Sequence, residues 1–174
     1  MELAEVIKTA INPALAILPQ AMDTPKARVI VLTTGAHESK YKDRVQVLNG
    51  GGRGPAMGFW QCERGGGVKG VYTHPASTGH LHNLCAARNV PFDIPTIWAT
   101  LETDDVLAAG VARLLYYTDP APLPATDDTE GAWKLYLRTW RPGAYDRGSP
   151  AKRAQLRAEW EGHHRAVRVV MGLK

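Results

Sequence analysis

Glycines at positions 50, 51, 52, 54, 58, 65, 66, 67 and 70 dominate the stretch from Asn49 to Gly70. Each costs a helix or strand interior roughly 0.5–1 kcal/mol relative to alanine. Their density therefore excludes a long regular element and predicts an extended loop or a pair of short hairpin strands. A structureless excursion of that length is uncommon inside a compact domain and is commonly functional where it occurs. The fold has to be built from the segments on either side.

Those segments read mostly as helices. Leu3, Val6, Ile7, Ala10 and Ile11 recur at helical spacing and predict an N-terminal helix within residues 1–22, with Pro19 as a stop. Thr24-Pro25 reads as an N-cap followed by proline at the first helical position. The apolar run Val29 to Leu32 that follows fits a buried helix or a buried strand ending at Gly35. The Thr-Pro start and the length of the segment favour helix; a strand would imply an α/β enzyme with Gly35 at a strand-to-loop turn.

Downstream, "ASTGHLHNLCAARN" places Leu81, Leu84 and Cys85 on one face, and "DIPTIWATL" is a short helix with proline in its first turn. "TDDVLAAGVARLLYYTD" opens with a threonine cap and two aspartates suited to the positive helix end, and Val106, Ala109, Val111, Leu114 and Leu115 supply a buried face. "TEGAWKLYLRTWRPG" carries Trp133, Leu137 and Trp140 at spacings of four and three, and ends at Pro142-Gly143. Trp98, Trp133 and Trp140 are expected in the core. Ser149-Pro150 opens a basic C-terminal helix over 150–174. Without a repeat or linker, the expectation is one mainly α domain, 1–174, with a glycine-rich loop or small hairpin.

The composition is that of a globular chain: 174 residues, 44% hydrophobic and 22% charged. That length accommodates one well-packed domain. A formal charge of +4 suits an anionic polymer such as nucleic acid, a membrane surface or a cell wall, without selecting one. The first 22 residues make a poor signal peptide, and no segment reaches the ~18 apolar residues of a membrane span. Cys62 and Cys85 form neither a CxxC motif nor a disulfide framework. His80, His82 and Cys85 lack a second ligand pair, so no metal is expected, and His163-His164 reads as a solvated face. The loops "GGGRG" and "RGGGVKG" lack the Ser/Thr that a phosphate-binding loop places after its lysine. No cofactor and no specific nucleic-acid partner are implied.

One acidic residue stands out. Glu38 ends the most apolar segment of the N-terminal half, where desolvation raises a carboxyl pKa and keeps it protonated near neutrality. Glycoside cleavage needs such an acid to protonate the leaving oxygen. The glycine stretch then brings Phe59, Trp60 and the Gln61 amide, the kinds of group that stack on a pyranose or bond its hydroxyls.

"HES" (His37, Glu38, Ser39) followed by "GPAMGFWQ" (Gly54 to Gln61) resembles the lysozyme-like superfamily, especially soluble lytic transglycosylases and goose-type lysozymes. Their pattern is a Glu-Ser pair at a helix end, a spacer, then Gly-Ala-x-Gly-Leu-Met-Gln. The resemblance implies Glu38 as general acid/base, Ser39 as its hydrogen-bond partner, and Gly58, Phe59, Trp60 and Gln61 as one wall of a sugar groove. It also implies an aromatic hydroxyl near the acid, from Tyr116, Tyr117 or Tyr136, with Tyr117 and Tyr136 placed among the substrate contacts. A transglycosylase needs Glu38 alone, whereas a hydrolase needs a second carboxylate, for which Glu63, Asp43 and Asp119 are candidates. Arg53, Arg64 and Lys69 are candidates for touching the peptide carboxylates of a cell-wall strand.

"ARLLYYTD" and "AWKLYLRTWRPG" look like segments of tailed-bacteriophage proteins. The implied function is cleavage of the MurNAc–GlcNAc bond of peptidoglycan, in a phage virion or in the host cytoplasm before delivery to the wall. The alternative is a non-catalytic virion or ejection component, partnered by other virion proteins.

Overall fold

The computed structural model describes residues 1–48 and 50–173. Asn49, where the predicted loop begins, and Lys174, where the predicted C-terminal helix ends, lie outside the described residues. Helix α1 (Leu3–Val6) runs through a π turn at Ile7–Ile11 into α2 (Asn12–Ile17). Pro13 has no N–H to give the preceding turn, and the ladder widens just before it. The single helix expected within 1–22 ends earlier than Pro19: Leu18 is extended, and a 3₁₀ turn follows at Gln20–Met22.

The Val29–Leu32 run is helical, inside α3 (Pro25–Ser39), which decides against the strand reading. The Thr24 hydroxyl accepts the Ala27 amide at 3.1 Å and Pro25 opens the first turn. Val29 to Ala36 are all buried because α3 is packed by α7 (Asp105–Tyr117), α8 (Thr129–Trp140) and α10 (Pro150–Val170). The buried hydroxyls of Thr33 and Thr34 donate to Val29 and Ile30 carbonyls at 2.7 and 2.8 Å, so they enter the core paired.

The glycine stretch forms a small antiparallel sheet in the order β1 (Val45–Val47), β2 (Arg53–Met57), β3 (Cys62–Glu63). Val45 pairs with Met57, and Ala56 with Glu63. The expectation that no helix forms before Gly70 fails at its end. Arg64–Val68 makes a π turn that leads into α4 (Lys69–Thr73), held by the buried Val68 and Val71. Burial of those two side chains outweighs the entropy of the three glycines.

Helices α5 (Thr78–Ala87) and α6 (Ile94–Thr100) follow, then α7, α8, a short α9 (Gly143–Asp146) and α10. The cap of α7 is Asp104, whose carboxylate accepts the Leu107 amide at 2.9 Å, and not the threonine before it. Every residue from Val106 to Tyr116 is buried, so α7 is the axis of the domain. Gly110 lets it approach α5, since a methyl group there would overlap Leu84. Among the described residues no helix is long and apolar enough to cross a membrane.

The tryptophans divide. Trp133 is core, while Trp98 and Trp140 are half-buried and donate their ring N–H to the Pro55 and Trp60 carbonyls, at 2.8 and 3.0 Å. The expected solvated pair also divides: His164 is buried, with Nδ1 3.0 Å from the Thr129 hydroxyl, and His163 packs 5.9 Å from the His37 ring. Helix α10 lies against α3, which carries both histidines out of solvent.

The end of α3 is fixed from below. Lys40 and Tyr41 both hold φ of 53°, a left-handed conformation costing L-residues roughly 1–2 kcal/mol each. What holds it is the Tyr41 ring, folded back and buried, donating its hydroxyl to the Leu32 carbonyl at 2.7 Å. The ring occupies the space a side chain at Gly35 would need; a methyl group there would sit 2.6 Å from Tyr41 Cε1 and Oη. Gly35→Ala should therefore destabilise the protein by about 1–3 kcal/mol in urea unfolding. Gly79→Ala, where a methyl meets nothing within 4 Å, should be neutral or stabilising.

Candidate active site

The last turn of α3 ends in a cleft of about 1120 Å³. The cleft is walled by Gln46, Gln61, Glu63 and the Gly65–Gly67 turn on the glycine-rich side, and by Arg138, Trp140 and Arg141 on the side of α8. Glu38 sits in this cleft, half-buried. Its Oε1 accepts a hydrogen bond from the Tyr136 hydroxyl at 2.6 Å. Burial pushes the Glu38 pKa from 4.5 up to about 7, the Tyr136 hydrogen bond pulls it down, and the charge of Glu63 adds to the rise.

The phenol has little freedom. Tyr136 is buried and stacked against Trp160 and Trp133, with centroids 4.7 and 5.3 Å away, and against Trp140 at 6.4 Å. Burial and the Glu38 charge hold its pKa well above that of a free tyrosine, so it stays a donor. One turn earlier on α3, the Thr34 and Tyr116 hydroxyls meet at 2.6 Å. Two tyrosines from α7 and α8 thus occupy the positions facing residues 34 and 38. Of the three candidate tyrosines, the one beside the acid is Tyr136. Tyr117 projects outward, 5.7 Å from the Arg113 guanidinium and 5.9 Å from the His80 ring, and is not a cleft contact.

The glycine-side wall differs from expectation in its aromatic part. Gly58 (φ 71°) to Gln61 (φ 50°) is a tight turn closed by the Gln61 amide on the Gly58 carbonyl at 3.0 Å. It sends both rings inward. Trp60 is fully buried and donates to the Val31 carbonyl at 2.8 Å. Phe59 is 1% exposed and lies 4.2 Å beneath the Arg44 guanidinium. Neither ring, nor the buried Gly58, can stack on a sugar. Gln61 reaches the cleft, its side-chain N–H donating to the Gly58 carbonyl at 2.9 Å. The exposed ring edge on the opposite wall belongs to Trp140.

Ser39 lines the cleft, but its hydroxyl serves the backbone, donating to the Gly35 carbonyl at 3.2 Å and accepting the Tyr41 amide at 3.1 Å. The carboxyl's partner is Tyr136 in its place. Glu63, Asp43 and Asp119 all line the cleft. Asp119 is held by Arg138 at 2.7 and 3.1 Å, which keeps it below the usual carboxylate range. Of these acids, Glu63 is the one whose charge is felt at Glu38. Arg53 is committed to Glu102 at 2.6 Å and lies outside the cleft with Arg64, whereas Lys69 lines it. Among the described residues no three His, Cys, Asp or Glu side chains converge as a metal site.

The sequence pattern implies no role for His37. Its ring meets Trp133, Tyr136 and Trp160 edge-on at 5.3–5.8 Å, and its Nδ1 is buried without a hydrogen-bond partner among the described residues. Burial lowers its pKa to about 4, so it is neutral. Cys62 beside the site is pushed up to about 12 by burial and by Glu38, so it remains an unreactive thiol.

The two neighbours tilt stability in opposite directions. Folded Glu38 retains a proton that the unfolded chain releases, so its contribution falls as pH rises from about 4.5 through 7. Folded His37 refuses a proton that the unfolded chain takes, so its contribution falls as pH drops from 6.5 through about 4. Glu38→Gln removes the first effect. The variant should be more stable than the wild type by on the order of 2–3 kcal/mol at pH 8 and indistinguishable at pH 4, read by urea unfolding.

Comparison with known proteins yields no match: no family model, no curated protein and no solved structure is significantly similar to this chain.

Proposed function

We propose that the protein cleaves the MurNAc–GlcNAc linkage of peptidoglycan, with Glu38 as its single general acid/base. The observation that carries the reading is a carboxyl with a pKa near 7, opening into a cleft and gripped by a buried phenol. Such a group is part protonated and part ionised at neutral pH, as one residue that acts first as acid and then as base requires. The resemblance of "HES" and "GPAMGFWQ" to lytic transglycosylases supplies the substrate class.

In the first step Glu38 gives its proton to the glycosidic oxygen as the bond to the muramoyl C1 breaks. The new carboxylate keeps the Tyr136 hydrogen bond, which favours the ionised form. In the second step Glu38 takes the proton of the muramoyl 6-hydroxyl as that oxygen bonds to C1, giving a 1,6-anhydro end and restoring the acid. Asp119, neutralised by Arg138, is a poor second carboxylate, which favours this route over hydrolysis. Glu63 is the residue through which hydrolysis would run. The likeness of "ARLLYYTD" and "AWKLYLRTWRPG" to tailed-bacteriophage segments supports a role in opening a host cell wall.

Wild-type protein on purified peptidoglycan should release 1,6-anhydro muropeptides detectable by mass spectrometry. Glu38→Gln should lower the rate by at least about 10²-fold. Absence of product from the wild type would reduce the protein to a packing role in a virion; reducing ends in place of anhydro ends would make it a hydrolase.

Two further variants should move the pH profile oppositely. The Tyr136 hydrogen bond lowers the Glu38 pKa, so Tyr136→Phe should carry the alkaline limb to higher pH. The Glu63 charge raises it, so Glu63→Gln should carry that limb to lower pH. Unmoved limbs in both would detach the profile from Glu38.

A further inference from the structure

Four cations line the cleft without an anionic partner among the described residues: Lys40 and Lys42 just beyond α3, Lys69 at the start of α4, and Arg141 after α8. All four are exposed. Many basic residues elsewhere are committed, as in Arg28–Asp23, Arg44–Asp105, Arg53–Glu102, Arg88–Asp104 and Arg157–Glu130. Inside the cleft Arg138 is neutralised by Asp119. Among the described cleft residues that leaves only Asp43 and Glu63 to oppose the four while Glu38 is protonated.

These cations do not serve the acid. The Glu38 carboxyl is hydrogen-bonded to Tyr136, and among the described residues none of the four cations forms an ion pair with it. The sugar rings of an intact strand give them nothing ionic to bind, because the lactyl carboxyl of each MurNAc is taken up in the amide link to its peptide. The negative charge of such a strand sits on the carboxylates of its stem peptides. Cations from three separate segments gathered in one concavity focus potential on an anionic ligand.

We propose that Lys40, Lys42, Lys69 and Arg141 read the stem-peptide carboxylates of a peptidoglycan strand, making the protein selective for strands whose peptide carboxylates are free over strands in which they are amidated. The inference rests on the cleavage reading above and goes beyond it by naming the charged part of the substrate. Contacts between exposed ions are individually weak and screened by salt, so the preference is cumulative and confined to low ionic strength.

The test uses the full chain carrying Glu38→Gln and two fluorescent ligands: peptidoglycan strands with intact tetrapeptides, and the same strands with their carboxylates converted to carboxamides. Fluorescence anisotropy at low salt should give roughly tenfold tighter binding of the charged strand, with the difference collapsing at high salt. Lys40→Gln with Lys42→Gln, and separately Lys69→Gln with Arg141→Gln, should each shrink the difference. Arg165→Gln on an exposed position of α10 outside the cleft should leave it intact. Equal or undetectable binding of the two strands overturns the proposal, as does a preference untouched by both cleft variants or abolished by the α10 control. A wild type that prefers the charged strand yet releases neither anhydro nor reducing products would refute the cleavage reading while upholding this one.

Discussion

The hydrogen bond from Tyr136 to Glu38 is the contact on which the organisation of the cleft depends, because it joins the two halves of the chain at one carboxyl oxygen. Everything behind it is rigid packing. Tyr136 is held by Trp133 and Trp160, Trp160 brings in α10, and His37 fills the space between them edge-on. Aromatic pairs of this kind add roughly 0.5–1.5 kcal/mol beyond their area and, more to the point, fix direction. A phenol that cannot rotate away imposes one position on the carboxyl.

That rigidity costs stability near neutral pH. Half-burying a carboxyl beside an apolar stack is unfavourable once it ionises, and the protein carries that strain through the pH range where the group would work. Placing a neutral, buried histidine next to it adds a second destabilising proton equilibrium with the opposite sign. The two windows overlap, so the pH dependence of one largely offsets that of the other between about 4.5 and 6.5. Adjacent residues on one helix end thereby flatten a stability profile that either alone would tilt.

Much of this was legible in the sequence, and the limits have physical causes. The helical frame followed from caps and periodicity: Thr24-Pro25 and Ser149-Pro150 start α3 and α10 as read. The desolvation of Glu38 was legible because it sits at the end of an apolar helix, where burial and a cleft meet. The choice among Tyr116, Tyr117 and Tyr136 could not be made, since it depends on the rotational phase of α7 and α8 about a third helix. Phe59 and Trp60 were assigned to a sugar wall because composition does not reveal the turn at Gly58–Gln61, whose two positive φ values send them into the core. His163 and His164 looked solvated because their neighbours are charged; only the docking of α10 on α3 buries them. The resemblance to lysozyme-like enzymes carried Ser39 as a partner of the acid, yet its hydroxyl is consumed in closing the helix end.

On the proposed reading, the cleft has to meet two electrostatic demands that conflict at short range. A proton donor working at neutral pH needs an environment hostile to its anion, while a site for an anionic strand needs positive charge. A cation in contact with Glu38 would satisfy the second and defeat the first by stabilising the carboxylate. Depth separates them. Desolvation is local and acts on the half-buried carboxyl, whereas Lys40, Lys42, Lys69 and Arg141 are exposed, where water and salt shorten their reach. The left-handed turn at Lys40 and Tyr41 is the device that makes this possible within a few residues. It buries Tyr41 beneath the helix end while leaving Lys40 and Lys42 in solvent, so the chain passes within a few residues from a half-buried acid to an exposed, charged rim.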